Sequence, residues 1–278
     1  MEYLIEIIKY IVLGIIQGIT EIFPVSSSGH LVLFSTIFLG GANIQEDLTL
    51  FLIITNMGSF LALVQFYFKD IKELVTDTWI YLFDKEQRHN TDIRYNFYYV
   101  LKLLIAVIPI GIAGLLFKDF LPTNLLSVGI SLCATSALLF LVFSLRNASF
   151  SNDLTWKNAG IIGLFQMFAI LPGLSRSGIT IVGGLSQKVS IKKVLRFSFL
   201  SYIIVSVPVS LLGLYEALQN TGTVDILGFV LAFIFSFIFS LLTVQFMSRF
   251  VQVKNLIWFS IYTLGIGILS IILYTLNV

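Results

Sequence analysis

One cysteine, two histidines and five prolines are all that 278 residues contain of the types that most often mark a metal centre or a stapled fold. Cys133 stands alone in the apolar run VGISLCATSALLFLVF, which excludes a disulfide framework or a cysteine metal site within one chain and leaves a small packed hydrophobe. Charge is scarce as well, at 12% of residues, where globular domains carry about a quarter. A hydrophobic share of 57% and a mean hydropathy of +0.96 exclude an ordinary soluble domain. No cleavable secretory signal is read at the start, because Glu2 and Glu6 precede any cation and no small-residue cleavage site follows; residue 1 is read as mature. The net charge of +2 gives no electrostatic case for a nucleic-acid partner.

What is present is long apolar runs, and they point to an all-α integral membrane protein. Windows of about 20 apolar residues fall near 48–68, 98–117, 124–143, 197–215, 226–247 and 255–276. Two further apolar stretches, 3–39 and 158–185, are interrupted by FPVSSSGH and LPGLSRSG. The cations gather in alternate connections: Lys69, Lys72, Lys85, Arg88 and Arg94; Arg146 and Lys157; Lys188, Lys192, Lys193 and Arg196; Arg249 and Lys254. The remaining connections hold Lys118 alone, so the positive-inside rule orients the chain. Cations on both sides of 158–185 require it to enter and leave from the cytoplasmic face as a re-entrant hairpin. By the same logic 3–39 enters from the outer face. Cysteines at Asn43 and Asn220 are then expected to be labelled from outside whole cells, and one at Asn90 is not.

Each half of the chain thus reads as one broken, re-entrant helical hairpin followed by three transmembrane helices, giving six full spans in all. Three is odd, so the second half is inverted relative to the first. One membrane domain, 1–278, is expected to comprise repeat one over 1–143 and repeat two over 158–278. The segments GIIQGITEIFPVSSSG (Gly14 to Gly29) and GLFQMFAILPGLSRSG (Gly163 to Gly178) align Gly14 with Gly163, Gln17 with Gln166, Ser26 with Ser175 and Ser28 with Ser177. Inverted repeats with broken helices set their site near the midplane, where the interruptions meet.

Non-helical backbone at membrane depth is tolerated only where protein buries it or water reaches it. Both interruptions are therefore expected to line one polar chamber. Into it go Gln17 and Glu21, four apart on one helical face, with Ser26, Ser27, Ser28 and His30; the second turn adds Ser175, Arg176, Ser177 and Thr180. An arginine at the bilayer centre costs roughly 2.5–3.5 kcal/mol on the mildest scale, so Arg176 needs a partner, and Glu21 is the carboxylate expected to supply it. A guanidinium fork, hydroxyls, and amides freed by Gly29, Gly173 and Gly178 describe an anion pocket, with phosphate the best match. A carboxylate and an imidazole add proton transfer or, with a divalent cation, charge neutralisation, both of which phosphoryl transfer uses.

The stretches QGITEIFPVSSSGH and PGLSRSGIT resemble the two signatures of the bacterial undecaprenyl-diphosphate phosphatase family, the bacitracin-resistance type. The likeness extends through GSFLALVQFYFKDI and RFSFLSYIIVSVP and covers most of the chain. The resemblance implies an enzyme of the bacterial cytoplasmic membrane, multi-pass, with its site opening toward the outer face. It implies hydrolysis of the lipid diphosphate undecaprenyl diphosphate to undecaprenyl phosphate and inorganic phosphate, recycling the carrier for cell-wall synthesis and conferring bacitracin resistance. It also implies dependence on a divalent cation, Mg or Ca. By position, Glu21, Ser27, His30 and Arg176 match catalytic places, and Ser26, Ser28, Ser175, Arg176, Ser177 and Thr180 match places for substrate phosphate. The metal is expected at Glu21 with Gln17. Gln17 departs from the family, since many members carry a second glutamate there, and IITNMG (Ile53 to Gly58) departs from an expected Gln-containing form.

The nucleophile stays open among His30, Ser27 and water, and homodimerisation stays open with it. Membrane lipid surrounds the chain on any reading. His89 reads as a surface residue in a mixed-charge cytoplasmic connection. A transporter or flippase for a polyprenyl phosphate or another anion is the alternative, because an inverted repeat also builds transporters. A phosphatidic-acid-phosphatase motif fails on spacing: no Arg-Pro dipeptide exists, and Val182 stands where its histidine is required, six residues after Arg176.

Overall fold

A computed structural model of the chain describes residues 2–39, 44–117, 120–219 and 225–276. Lys118, Asn43 and Asn220, which carried outer-loop expectations, lie outside these. The described residues form eleven α-helices: α1 (Glu2–Ile22), α2 (Ser27–Leu39), α3 (Ile44–Phe66), α4 (Phe68–Phe83), α5 (Thr91–Phe117), α6 (Leu125–Ser144), α7 (Trp156–Met167), α8 (Arg176–Leu185), α9 (Ile191–Gln219), α10 (Ile226–Phe250) and α11 (Leu256–Thr275). Extended pairing among the described residues is confined to one isolated bridge between Asn152 and Val189. Six helices, α1, α5, α6, α9, α10 and α11, are long and apolar enough to cross a bilayer. The chain is a multi-span, all-helical membrane protein.

Five of the apolar windows fall on α5, α6, α9, α10 and α11, and two expectations need correcting. The leading arm of the first hairpin is a full-length helix: α1 has 21 residues, about 31 Å at 1.5 Å per residue. Its counterpart α7 has 12. Part of the extra length lies in an initial turn that carries Glu2 and Glu6, which an apolar window discounts but a helix accepts, and part at the far end, where α1 continues to Ile22 and the second arm tightens into a 3-10 turn over Phe168–Ile170. The window at 48–68 belongs to α3, and the following connection, read as solvated, continues as α4 after a 71° bend. α4 lies on α5 through Leu74, a stacked Tyr81–Phe97 pair 4.1 Å apart, and Asn96, whose amide donates to Glu73 and Asp77.

The helices pair across the two halves of the chain. α6 packs along α11, α1 along α10, α5 along α7 and α3 along α9. Small residues allow the close approaches, as expected where lipid supplies no hydrophobic drive to associate. A Cβ on Gly14 would meet the carbonyl oxygen of Ala232 on α10 at 2.5 Å, and one on Gly163 would meet that of Ala106 on α5 at 2.7 Å. Hydroxyls tie these seams and that of α3 with α10. Ser136 donates to the carbonyl of Ser260 at 2.7 Å and Ser260 to that of Ser136 at 2.9 Å. Ser236 donates to the Thr55 carbonyl at 2.7 Å, and Ser240 to that of Gly18 at 3.0 Å. One apolar cluster runs through α5, α6, α8 and α9, from Leu103 and Leu139 to Phe197. A smaller one joins α1, α2, α3 and α10 around Leu13, Leu31 and Phe229.

Candidate active site

Two chain reversals meet inside this scaffold. In the first, Pro24 cannot donate a helical hydrogen bond, α1 ends at Ile22, and the chain turns at Ser26, a non-glycine residue held at φ 70°. In the second, α7 runs into a 3-10 turn (Phe168–Ile170) ahead of Pro172, and Gly173 at φ 92° reverses the chain into α8. Each restarting helix is capped the same way: Gly29 N donates to Ser26 Oγ at 3.3 Å, and Gly178 N to Ser175 Oγ at 3.1 Å. Ser26 and Ser28 hydroxyls lie 3.3 Å apart, those of Ser175 and Ser177 3.2 Å apart.

The turns also hold each other. Gly173 N donates to Ser28 Oγ at 3.4 Å, and Ser177 Oγ donates to the Phe23 carbonyl at 3.0 Å. Thr135 of α6 braces the second turn, donating to the Gly173 carbonyl at 3.2 Å and accepting from Ser175 N at 3.1 Å.

Between them is a polar cavity of about 190 Å³, lined by Glu21, Ser26, Ser27, Ser28, Ser175, Arg176 and Ser177, with Thr20 and Asn56 beside them and Leu52, Ile110, Ala169 and Leu174 as apolar wall. Arg176 Nη2 donates to Glu21 Oε1 at 2.5 Å, so the ion pair expected from sequence is present. The Glu21 side chain is 7% exposed, that of Arg176 24%. Glu21 Oε2 accepts from Ser27 Oγ at 2.5 Å and from Gln17 Nε2 at 3.0 Å. The guanidinium lies 3.8 Å over the ring of Tyr202, a cation–π seat that fixes its plane. α2 and α8 both begin at this cavity, so their first amides and positive dipole ends favour an anion there. Hydroxyl, carboxylate and guanidinium in one partly screened chamber can bind an anion and move a proton at Ser27 Oγ.

Three of the sequence candidates stand behind the cavity wall. His30 is fully buried; its Nδ1 lies 2.7 Å from the Ser26 carbonyl and its Nε2 2.8 Å from the Tyr262 hydroxyl, with the two rings stacked. Thr180 bonds to the Arg176 carbonyl at 2.9 Å and to the Ser198 hydroxyl at 2.5 Å. Gln17, also fully buried, donates to both Glu21 and Asn56 and leaves its own Oε1 without a hydrogen-bond partner.

That arrangement bears on the metal. Both oxygens of Glu21 accept from cationic or neutral donors, Gln17 turns nitrogen rather than oxygen toward it, and the described residues contain no group of three His, Cys, Asp or Glu side chains suited to an ion. The donor set does not fit a divalent cation held by the protein alone. Asn56, Tyr202 and Thr135 are the residues that sequence reasoning missed. A lone Asn inside FLIITNMG was the available signal, since a polar side chain at membrane depth is costly and seeks a polar partner; Tyr202 and Thr135 carry a weaker mark.

Three relatives named as undecaprenyl-diphosphatases align along nearly the whole chain. The protein of that name from Acholeplasma laidlawii is 68% identical over 275 residues, covering 99% of each chain. The one from Oceanobacillus iheyensis is 35% identical over 272 residues, 96% of each. Undecaprenyl-diphosphatase 1 of Bacillus cereus is 36% identical over 277 residues, 98% of this chain and 99% of the relative. Residues 10–269, which include both turns and every side chain named in the cavity, match the family described as bacitracin resistance protein BacA. This chain belongs to the BacA family.

Proposed function

We propose that this protein hydrolyses undecaprenyl diphosphate to undecaprenyl phosphate and inorganic phosphate, recycling the lipid carrier for cell-wall synthesis. The observation that carries the reading is the Glu21 carboxylate, which accepts from Ser27 on one oxygen and from Arg176 on the other, each at 2.5 Å. A hydroxyl aimed at a carboxylate is a nucleophile with its base in place. Ser27 Oγ attacks the terminal phosphorus, its proton passes to Glu21, and the bond from that phosphorus to the bridging oxygen breaks. Glu21 gives the proton to the departing lipid monophosphate. A water then loses a proton to Glu21 as it splits the phosphoserine, and that proton returns to Ser27 Oγ. Arg176 neutralises the charge on the transferring group, joined by Ser28, Ser175, Ser177 and the first amides of α2 and α8. His30 and Thr180 act here as positioning residues, the first on the Ser26 turn and the second on the Arg176 backbone.

Any Mg or Ca requirement is assigned to the diphosphate, whose own oxygens bind such ions. Chelation is then expected to lower kcat/KM, while calorimetry on substrate-free protein detects no ion binding at the site. The two halves are read as inverted repeats, the α7–α8 hairpin re-entrant and the α1–α2 hairpin returning to its own face despite the full length of α1, with the cavity open toward the outer face. Supporting the repeat are the matched caps at Ser26 and Ser175, the matched contacts of Gly14 and Gly163, and helix pairs that exchange when the halves are exchanged.

The test is phosphate release from undecaprenyl diphosphate by purified protein in detergent, where no transport can occur. Ser27→Ala is expected to lose at least about 10³-fold in rate and Arg176→Ala about 10²–10³-fold. If the wild type releases no phosphate yet moves polyprenyl phosphate across vesicles, the transporter reading replaces this one.

A further inference from the structure

The polar cavity accounts for a diphosphate and leaves the lipid attached to it without a path. Its apolar lining includes Ile110 on α5 and Ala169 in the turn after α7. A second cavity of about 320 Å³ is walled by Ala113, Phe117, Leu121, Met167, Phe168 and Ile170, from the same two elements and the connection after α5. Ile110 of the polar chamber and Ala113 and Phe117 of the second cavity stand at i, i+3 and i+7, on one face of α5. Along that face of α5 the apolar groove follows the polar chamber. Phe117 and Phe168 are 52% and 53% exposed, so the far end of the groove opens toward the surrounding lipid.

A competing groove of about 260 Å³ runs between α3 and α10, lined by Ile54, Phe229, Val230 and Phe233. Its geometry removes it. Leu52 and Asn56 face the polar cavity, and Ile54, two residues from each, is turned about 200° away. The body of α3 separates that groove from the site.

We propose that the groove between α5 and the Phe168–Ile170 turn holds the first isoprene units of the substrate's prenyl chain and sets the preference for a prenyl over a headgroup-only diphosphate. The proposal rests on the phosphatase reading for the position of the diphosphate. The chemistry fits: the wall is apolar, unbranched Met167 adapts to a methyl-branched chain, and a volume of this order holds only a short segment. Recognition is then of the units nearest the diphosphate, and chain length beyond them goes unread.

The experiment compares kcat/KM for farnesyl diphosphate with that for inorganic diphosphate in detergent, in the wild type and in Met167→Trp, which fills the groove, and Phe168→Ala, which opens its lipid-facing side. The farnesyl-to-inorganic ratio is expected to fall roughly tenfold or more in Met167→Trp and to change in Phe168→Ala, a half-exposed position that keeps the proposal testable if the bulkier variant fails to fold. Val230→Trp, in the competing groove, is expected to keep the wild-type ratio. An unchanged ratio in both groove variants, or an equal fall in Val230→Trp, overturns the assignment while leaving phosphatase activity established. A diazirine-bearing farnesyl diphosphate gives a readout independent of turnover: it should label the peptide around Met167–Leu171 in competition with undecaprenyl phosphate. Labelling confined to α10 overturns the proposal even if no phosphate is released. Loss of release from every diphosphate by wild-type protein, with the 167–171 peptide still labelled, sinks the phosphatase reading and not the groove.

Discussion

Ser26 is the residue on which the cavity turns, and His30 is what holds it. The carbonyl that meets His30 Nδ1 belongs to a serine forced to φ 70°, and Tyr262 of α11 lies against the other side of the ring. Both nitrogens are engaged, so the imidazole is poorly placed to attack phosphorus. His30→Gln, which keeps a donor and an acceptor, is expected to lose about tenfold in turnover, about 1.4 kcal/mol, and measurable thermal stability. Glu21→Gln removes the proton acceptor and should lose roughly 10²–10⁴-fold. Stopped-flow phosphate release on the two variants separates these roles; a His30→Gln loss as large as that of Ser27→Ala would mean the histidine reacts directly. The Glu21–Arg176 pair was legible in sequence because two opposite charges in apolar runs have few other partners. The placement of His30 was not, because its ring rests on Tyr262, 232 residues away, and no local pattern carries that distance. Thr180 is expected in the chamber as part of the second turn. It follows Arg176 by four, and that spacing lets its hydroxyl bond back to the Arg176 carbonyl, which turns it inward.

At the scale of elements, the breaks were legible and the bends were not. Proline, glycine and serine clusters announced both hairpin turns, whereas the 71° bend between α3 and α4 occurs at Tyr67, with neither proline nor glycine to mark it. The two hairpins are nevertheless built to one plan where they contact the rest of the bundle. Gly14 abuts Ala232 and Gly163 abuts Ala106, and in both cases a Cβ would fall within 3.0 Å of backbone. Gly14→Val and Gly163→Val are each expected to cost about 1–3 kcal/mol of overpacking. The paired variants should lower the thermal midpoint by similar amounts when followed by size-exclusion after heating. A large loss in one and none in the other would argue against equivalent packing of the two arms.

For the whole molecule, orientation is the testable quantity. Asn90, between α4 and α5, and Thr123, ahead of α6, are both exposed and lie at opposite ends of α5. In a Cys133→Ala background, a cysteine at Thr123 is expected to react with an impermeant maleimide in intact cells and one at Asn90 only after permeabilisation. Equal reaction at both sites would reverse or dissolve the positive-inside assignment. The global pattern was legible because loop cations and apolar windows are additive along a chain. The partnership of α1 with α10 and of α5 with α7 was not, since it depends on surfaces that neither half presents alone.

The bond from Arg176 to Glu21 spans 155 residues. At about 5–20 residues per second of synthesis, Glu21 waits roughly 8–30 s before its cation exists. Throughout that interval the first turn also lacks the Ser177 hydroxyl that bonds to the Phe23 carbonyl. The nascent amino-terminal half therefore inserts with an acidic, unbraced loop, and the chemical chamber closes only when the second hairpin arrives, so assembly and activation of this protein are one event in time.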